Sequence, residues 1–294
     1  MINKGFSYVG LFFLYLLSLL PFWILYLISD FIFVLLYYVF GYRRKVVEEN
    51  LRNSFPEKTA EERLTIERKY YRHLCDLIVE TIKMFTISKK QLERRITGKN
   101  TGVAEEALNN GRNVMGAVGH YGNWEIANLR ASYETDYPKI VVYKSLTNKV
   151  FDEAFRKMRS RFGATLVDMP NATRAMMEYR HKPAMNILVS DQTPVKGDMN
   201  YFTDFLNQPT AVFLGIEKMA KLLNSVVIFC DIRKIKRGHY ECTFVPLINE
   251  PKSTAQYEIT EAHVRYLEKV IREQPEYWLW SHKRWKFKPE NTNQ

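Results

Sequence analysis

From Phe6 to Phe40 the chain is almost wholly apolar, FSYVGLFFLYLLSLLPFWILYLISDFIFVLLYYVF. A membrane span needs about 20 apolar residues. Phe6 to Ile28 meets that length, with Pro21 as a kink and Trp23 and Tyr26 as interface residues. Phe31 to Phe40 is too short to cross alone and is expected in the interface or returning towards it. The run exceeds the ~7–15 apolar residues of a secretory signal and lacks a small-residue cleavage site, so it reads as a retained anchor. Beyond it the pattern turns amphipathic and helical to about residue 100. Thr59-Ala60-Glu61-Glu62 forms a capping-box pattern. Leu64, Tyr71, Leu74, Ile78 and Ile82 then recur near helical spacing. His73 and Glu80 in this helix read as packing or solvated residues.

From about residue 101 short apolar runs alternate with helical patterns. Strands are expected at Asn113–Val118, Lys139–Tyr143, Thr165–Asp168, Met185–Ser190, Ser225–Phe229 and Glu241–Val245. Helices are expected at Gly102–Asn109, Asn123–Tyr133, Lys149–Phe162, Ala172–Tyr179, Val212–Leu223 and Tyr257–Gln274. This alternation predicts an α/β body with a central, mainly mixed or parallel sheet flanked by helices. The expected organisation is an anchor over residues 1–42, a helical membrane-proximal segment over 43–100 and an α/β domain over 101–294. Arg233 to Gly238 reads as a polar hairpin turn between two strands.

Charge narrows the partners. The 294-residue chain carries 43 Lys and Arg against 32 Asp and Glu, a formal charge of +11. That favours an anionic partner: nucleic acid, a phosphorylated lipid or an acidic carrier protein. Arg43-Arg44-Lys45 follows the apolar run directly, against a single Lys4 before it, which places the body on the cytoplasmic side by the positive-inside rule. Cys75, Cys230 and Cys242 form no CxxC pair and suit a reducing compartment.

The strand at residues 113–118 runs into Gly119-His120-Tyr121-Gly122-Asn123-Trp124-Glu125, and a helix follows. Strand-to-helix junctions of α/β folds are where catalytic groups are often displayed. Five residues apart, His120 and Glu125 would face different sides of one helix. They meet only if His120 precedes the helix and Glu125 lies in its first turn, with Asn123 as cap. A neutral imidazole would then take a hydroxyl proton on one nitrogen and donate to Glu125 from the other. No serine or cysteine lies within the motif, so direct attack by the acceptor hydroxyl is expected. A structural histidine beside a helix-capping glutamate fits the same short pattern equally well.

An anchor followed by H-x4-E in an α/β body resembles the glycerolipid acyltransferase superfamily. Within it the chain is most similar to the lipid A biosynthesis late acyltransferases, the lauroyl/myristoyl transferase group. The resemblance is carried by Val47 to Pro56, by Gly119 to Glu125, and by Tyr143-Lys144 with Asn148 and Arg159 to Gly163. It continues through Ser190-Asp191-Gln192, Phe202 to Thr210 with Leu214-Gly215, and Pro275 to Lys286. It thus runs over nearly the whole chain, and the order of the blocks makes it specific. Lys144 stands where many members carry arginine, and Asp204 to Thr210 lacks the family's glycine.

The resemblance implies transfer of a fatty acyl chain from acyl carrier protein to a hydroxyl of a lipid A precursor at the bacterial inner membrane. It implies His120 as general base with Glu125 as partner, Lys144, Arg159 and Asp191 on the substrate side, and no metal or cofactor. Backbone N–H groups near Gly119 to Gly122, or Arg159, are candidates for the oxyanion donor. Asp191 also reads as a turn residue, and Arg159 and Arg161 as cations favouring a helix C-terminus. Trp278, Trp280 and Trp285 interleave with His282, Lys283, Arg284, Lys286 and Lys288, a mix that suits a membrane interface or a nucleic-acid surface. The anchor favours the membrane and argues against nucleic acid. Acyl transfer to a lysophospholipid or aminolipid, and a non-catalytic tethered protein holding anionic lipid or carrier protein, are the competing functions.

Overall fold

The computed structural model describes residues 4–194, 199–287 and 289. Its centre is the strand β2 (Val114–Val118), buried at every position. Such a near-continuous apolar run marks a strand covered on both faces. The strands β3 (Lys139–Tyr143), β4 (Thr165–Asp168) and β5 (Met185–Val189) lie to one side, giving the order β2-β5-β3-β4, all parallel. On the other side β8 (Val226–Lys236) runs parallel to β2, and β9 (His239–Ile248) returns antiparallel to β8. The edge strand β1 (Ile96–Lys99) pairs in parallel with β9. The sheet is therefore mostly parallel with one reversed pair, as the strand–helix alternation predicts.

Most elements fall within a few residues of their expected positions. β8 continues to Lys236, so the expected polar turn shrinks to Arg237-Gly238, where Gly238 has φ +70°. β1 and a two-stranded hairpin, β6 (Phe202–Phe205) with β7 (Gln208–Ala211), have too little apolar pattern to be foreseen. The hairpin turn shows where a glycine in residues 204–210 would fit. Leu206 and Asn207 both take positive φ, 51° and 61°, the conformation a two-residue hairpin turn demands. Leu206 tolerates it fully buried, with its N–H donated to Glu268 at 3.0 Å.

The apolar N-terminus is two helices, α1 (Lys4–Leu19) and α2 (Phe22–Val34), the second prolonged by a π-helical turn over Leu35–Val39. Proline at position 21 lacks the N–H to continue α1 and instead stands as the extended residue before α2. The stretch expected from Phe6 to Ile28 with a kink at Pro21 is thus two helices that part at Leu20-Pro21. Among the described residues one helix, Phe22–Val39, is long and apolar enough to cross a membrane. After α3 (Arg44–Ser54), the helix α4 (Ala60–Lys83) begins at the expected capping box, with Thr59 and Glu62 bonded reciprocally at 3.2 and 2.7 Å. α4 buries Tyr70, Tyr71 and Cys75 in the same core as Met115, Phe229 and Trp280.

Candidate active site

The parallel register of β2 and β5 pairs Val118 with Val189. His120 and Asp191 each lie two residues past that pair, so the topology delivers both to one end of the sheet. His120 Nδ1 donates to Asp191 Oδ1 at 2.5 Å, and the His120 backbone N–H donates to Oδ2 at 2.8 Å. Trp278 Nε1 adds a third donor to Oδ2 at 2.7 Å. Burial alone would raise the Asp191 pKa, but His120 beside it and these donors hold it down to about 2. An ionised carboxylate only accepts, so Nδ1 carries a proton, and the amide N–H of Gln192 facing Nε2 calls for a lone pair there. Gln192 donates to that lone pair at 3.1 Å. The His120 side chain is 18% exposed while that of Asp191 is 3% exposed, so the base reaches outward from a buried anion.

The loop after β2 is held from two sides. The N–H of Gly122 donates to Tyr277 O at 3.1 Å, and that of Leu279 to His120 O at 3.1 Å. His73 of α4 donates from Nε2 to Gly122 O at 3.1 Å. Gly122 has φ +61°, and a Cβ there would stand 2.5 Å from Ile232 O, so no other residue fits. Asn123 caps α7 (Trp124–Ala131) by accepting from Ile126 N at 3.0 Å, and donates to buried Glu80 at 2.6 Å. The Trp124 ring meets the His120 ring edge-on at 4.9 Å.

Glu125 lies in the first turn of α7, as expected, but it does not orient the imidazole. Its carboxylate takes a two-pronged bond from Arg159, at the end of α8 (Lys149–Arg159), with Nε to Oε2 at 2.8 Å and Nη2 to Oε1 at 2.5 Å. Burial lowers the Arg159 pKa, and the Glu125 bonds outweigh it, so the net shift is upward and Arg159 stays charged. The expected His120–Glu125 contact is therefore replaced by two pairs, His120–Asp191 and Glu125–Arg159. The reason is reach: the parallel neighbour strand brings Asp191 directly against the ring, while the helical turn carries Glu125 towards α8. Lys144 is exposed just past β3. Asp191 was foreseen on the substrate side; the structure makes it the histidine's partner.

Behind Asp191 lies Arg284, 4% exposed, donating from Nη2 to Ala211 O at 2.6 Å. Its Nε and Nη1 have no partner among the described residues. They adjoin a cavity of about 10 Å³ shared with Ser190, Asp191 and His263. Burial lowers the Arg284 pKa to about 10, against the pull of Asp191. A wider groove of about 440 Å³ opens nearby, lined by Leu36, Tyr42, Leu74, Ile78, Leu279 and His282. Leu279 ties it to the His120 backbone, and His282 Nε2 accepts from Thr193 N at 3.2 Å beside Gln192. Of the C-terminal aromatics, Trp278 and Trp280 are buried rather than interfacial, and Lys288 lies outside the described residues. Trp278 gave no local signal of its role, because it bonds Asp191 across 87 residues of chain.

A family model described as bacterial lipid A biosynthesis acyltransferase matches residues 1–287. The chain is also similar to a lipid A biosynthesis acyltransferase of Haemophilus influenzae, 24% identical over 278 residues, which cover 93% of this chain and 85% of that protein.

Proposed function

The chain belongs to the bacterial lipid A biosynthesis acyltransferase family, and from that premise we propose that it moves a fatty acyl chain from acyl carrier protein to a hydroxyl of a lipid A precursor. Membership makes it an acyltransferase of lipid A acylation; the donor, the base and the membrane face are the parts proposed. The observation that carries the chemistry is the His120 ring held through Nδ1 by buried, ionised Asp191, with Nε2 on the Gln192 amide.

In this reading the acceptor hydroxyl displaces the Gln192 amide from Nε2 and gives its proton to His120. The oxygen attacks the thioester carbonyl of the donor, forming the new C–O bond. Collapse of the tetrahedral intermediate breaks the C–S bond, and the thiolate leaves with the proton held by His120. Asp191 keeps the tautomer and offsets the imidazolium charge, the role a buried carboxylate plays beside a catalytic histidine. The backbone N–H groups of His120 and Gly122 are already donated to Asp191 and Tyr277, which argues against them as oxyanion donors. The Gln192 amide and the Arg159 guanidinium take that part. Glu125 acts by aiming Arg159, and Lys144 meets phosphate. No metal or cofactor is required by these steps. The groove of about 440 Å³ falls in the ~300–1,000 Å³ range of small-molecule sites and suits an acyl chain. The cations at Arg43 and Lys45 favour the cytoplasmic face of the inner membrane.

The test is direct. Membranes holding the protein, given radiolabelled acyl carrier protein thioester and a lipid A precursor, should yield an acylated product. Transfer to lysophospholipid but not to the precursor would move the acceptor to another lipid, and binding without transfer from any donor would leave a tethering role.

A further inference from the structure

The apolar N-terminal helices are tied to the α/β body along their whole length. On α1, Ser7 accepts from Asn148 at 2.8 Å, Gly10 faces the Phe151 ring, and Lys83 donates to the carbonyls of Ser18 and Leu20 at 2.8 and 2.9 Å. On α2, Tyr26 donates to Glu80 and Ser29 to Asp76, both at 2.9 Å. Asp30 pairs with Arg237 at 2.6 Å, and Arg72 lies 4.8 Å from the centre of the Phe33 ring. The face turned inward carries the polar groups, buried Ser7, Ser18 and Ser29, beside buried Leu25 and Phe33. The face turned outward is apolar: Phe12, Phe13, Leu16, Trp23, Leu27 and Phe31 are 42–66% exposed.

A helix crossing the bilayer alone would meet lipid on all sides. These helices instead meet polar groups of the body at intervals from Ser7 to Phe33, charged ones from Ser18 onward. Asp30 stands at the middle of the Phe22–Val39 stretch and is bonded to Arg237, in the β8–β9 turn. If that stretch crossed, Asp30 would reach the bilayer centre with Arg237, Asp76 and Lys234 in tow, where every charge is strongly disfavoured. Laid flat, the same contacts sit at headgroup level. The outward face then enters one leaflet by about 5–10 Å, as in-plane amphipathic helices do. Arg43, Lys45 and Arg237 lie exposed or part-exposed near the end of that face, placed for anionic headgroups.

We propose that α1 and α2 form an in-plane docking surface for a single anionic leaflet, with residue 4 and the α/β body on the same side of the membrane. The inference rests on these contacts and not on the acyl-transfer chemistry, so neither stands or falls with the other. The expected segment that spans is replaced by one that lies along the surface, which holds the His120 end of the sheet at a fixed place beside the lipid.

The test compares the sidedness of two introduced cysteines, Lys4→Cys and Lys269→Cys on α11 (Glu258–Glu273), in the full chain. The natural Cys75, Cys230 and Cys242 are buried and give a low background. With a membrane-impermeant maleimide, both sites should react in inside-out vesicles and neither in spheroplasts. Reaction of Lys4→Cys in spheroplasts, with Lys269→Cys reacting only in inverted vesicles, overturns the proposal. A second measurement decides if Lys4→Cys is shielded in both. A fluorophore on Phe12→Cys or Phe31→Cys, in vesicles of phosphatidylethanolamine and phosphatidylglycerol, should be quenched several-fold more by a nitroxide near the headgroup than by one at the chain end. The reverse order at Phe31→Cys places α2 across the bilayer and overturns it. Neither readout involves turnover.

Discussion

Two buried carboxylates, Asp191 and Glu80, differ in what their donors leave over. Asp191 accepts from the His120 ring, the His120 backbone and Trp278, and the ring it holds keeps one lone pair facing outward. Glu80 accepts from Tyr26, Asn123 and Tyr240, and all of these are spent on packing. Burial and nearby Asp76 raise the Glu80 pKa, whereas the donors around Asp191 drive its pKa down. The histidines beside them repeat the contrast. His73 is wholly buried and its pKa falls to about 3, while His120 opens to solvent. Burial of an acid thus marks a brace when every bond points inward, and a reactive centre when one partner still faces out.

The contrast is tested first where the expected effect is largest. His120→Ala should lower kcat by ~10²–10⁴, the usual range for a missing general base. Asp191→Asn should fall in the same range by favouring the wrong tautomer, with the precursor still bound. His73→Gln keeps an N–H for Gly122 O and should leave kcat within a few-fold of the parent. Turnover assays on purified protein decide it: equal losses at His73 and His120 would erase the distinction between the two sites.

On the brace side the loss should appear in stability. Asp76 is 3% exposed and takes Ser29, Lys234 and Arg237. Asp76→Ala leaves the nearly buried Lys234 ammonium without its carboxylate, while Arg237 keeps Asp30, and breaking such a buried pair typically costs about 3–5 kcal/mol. Denaturant unfolding in detergent should show that drop, while the folded fraction keeps its turnover. An unchanged midpoint would mean that the cluster braces nothing.

Glu125 stands between the two cases, and its partner decides which it resembles. If Glu125 acts by aiming Arg159, then Glu125→Gln and Arg159→Gln are non-additive in kcat/KM, with a coupling of about 0.5–3 kcal/mol. Glu125→Gln should combine additively with Asp191→Asn. A strong Glu125–Asp191 coupling would return Glu125 to the histidine's own relay.

The sheet was legible because β2 to β5 are short apolar runs separated by helical patterns, and each falls close to its expected place. The capping box at Thr59 and the placing of His120 before a helix were legible too, since both depend on neighbours within a few residues. The His120 partner was not. Choosing Asp191 over Glu125 requires knowing that β5 rather than β3 lies beside β2, which no local pattern carries. Glu80 and His73 looked ordinary in sequence because the bonds that use them arrive from Tyr26, Asn123, Gly122 and Tyr240. The apolar stretch gave its length but not its contacts with the body, which come from Asp76, Asn148 and Lys83 far along the chain.

The smallest expected effect is on the pH dependence of folding. Burial lowers the pKa of His73 from 6.5 to about 3, and those of His263 and His282 to about 4. A histidine that stays neutral when folded binds its proton only in the unfolded chain over that interval. Stability is then complete above pH 6.5 and declines as pH falls towards 3 for His73 and towards 4 for the other two. Each such group contributes a slope of at most about 1.4 kcal/mol per pH unit. Asp191 adds a separate loss at lower pH, because its stabilisation is present above 3.8 and disappears as pH falls to about 2. His73→Gln removes one titrating group while keeping the donated bond, so unfolding midpoints measured from pH 7 to 5 should fall less steeply than in the parent. The pH–rate profile should keep its shape, because His73 reaches the reactive loop through the Gly122 carbonyl and the Tyr277 ring rather than through the His120 ring. A shifted acid limb in that variant would join the two histidines into one titrating unit and undo the separation between brace and base.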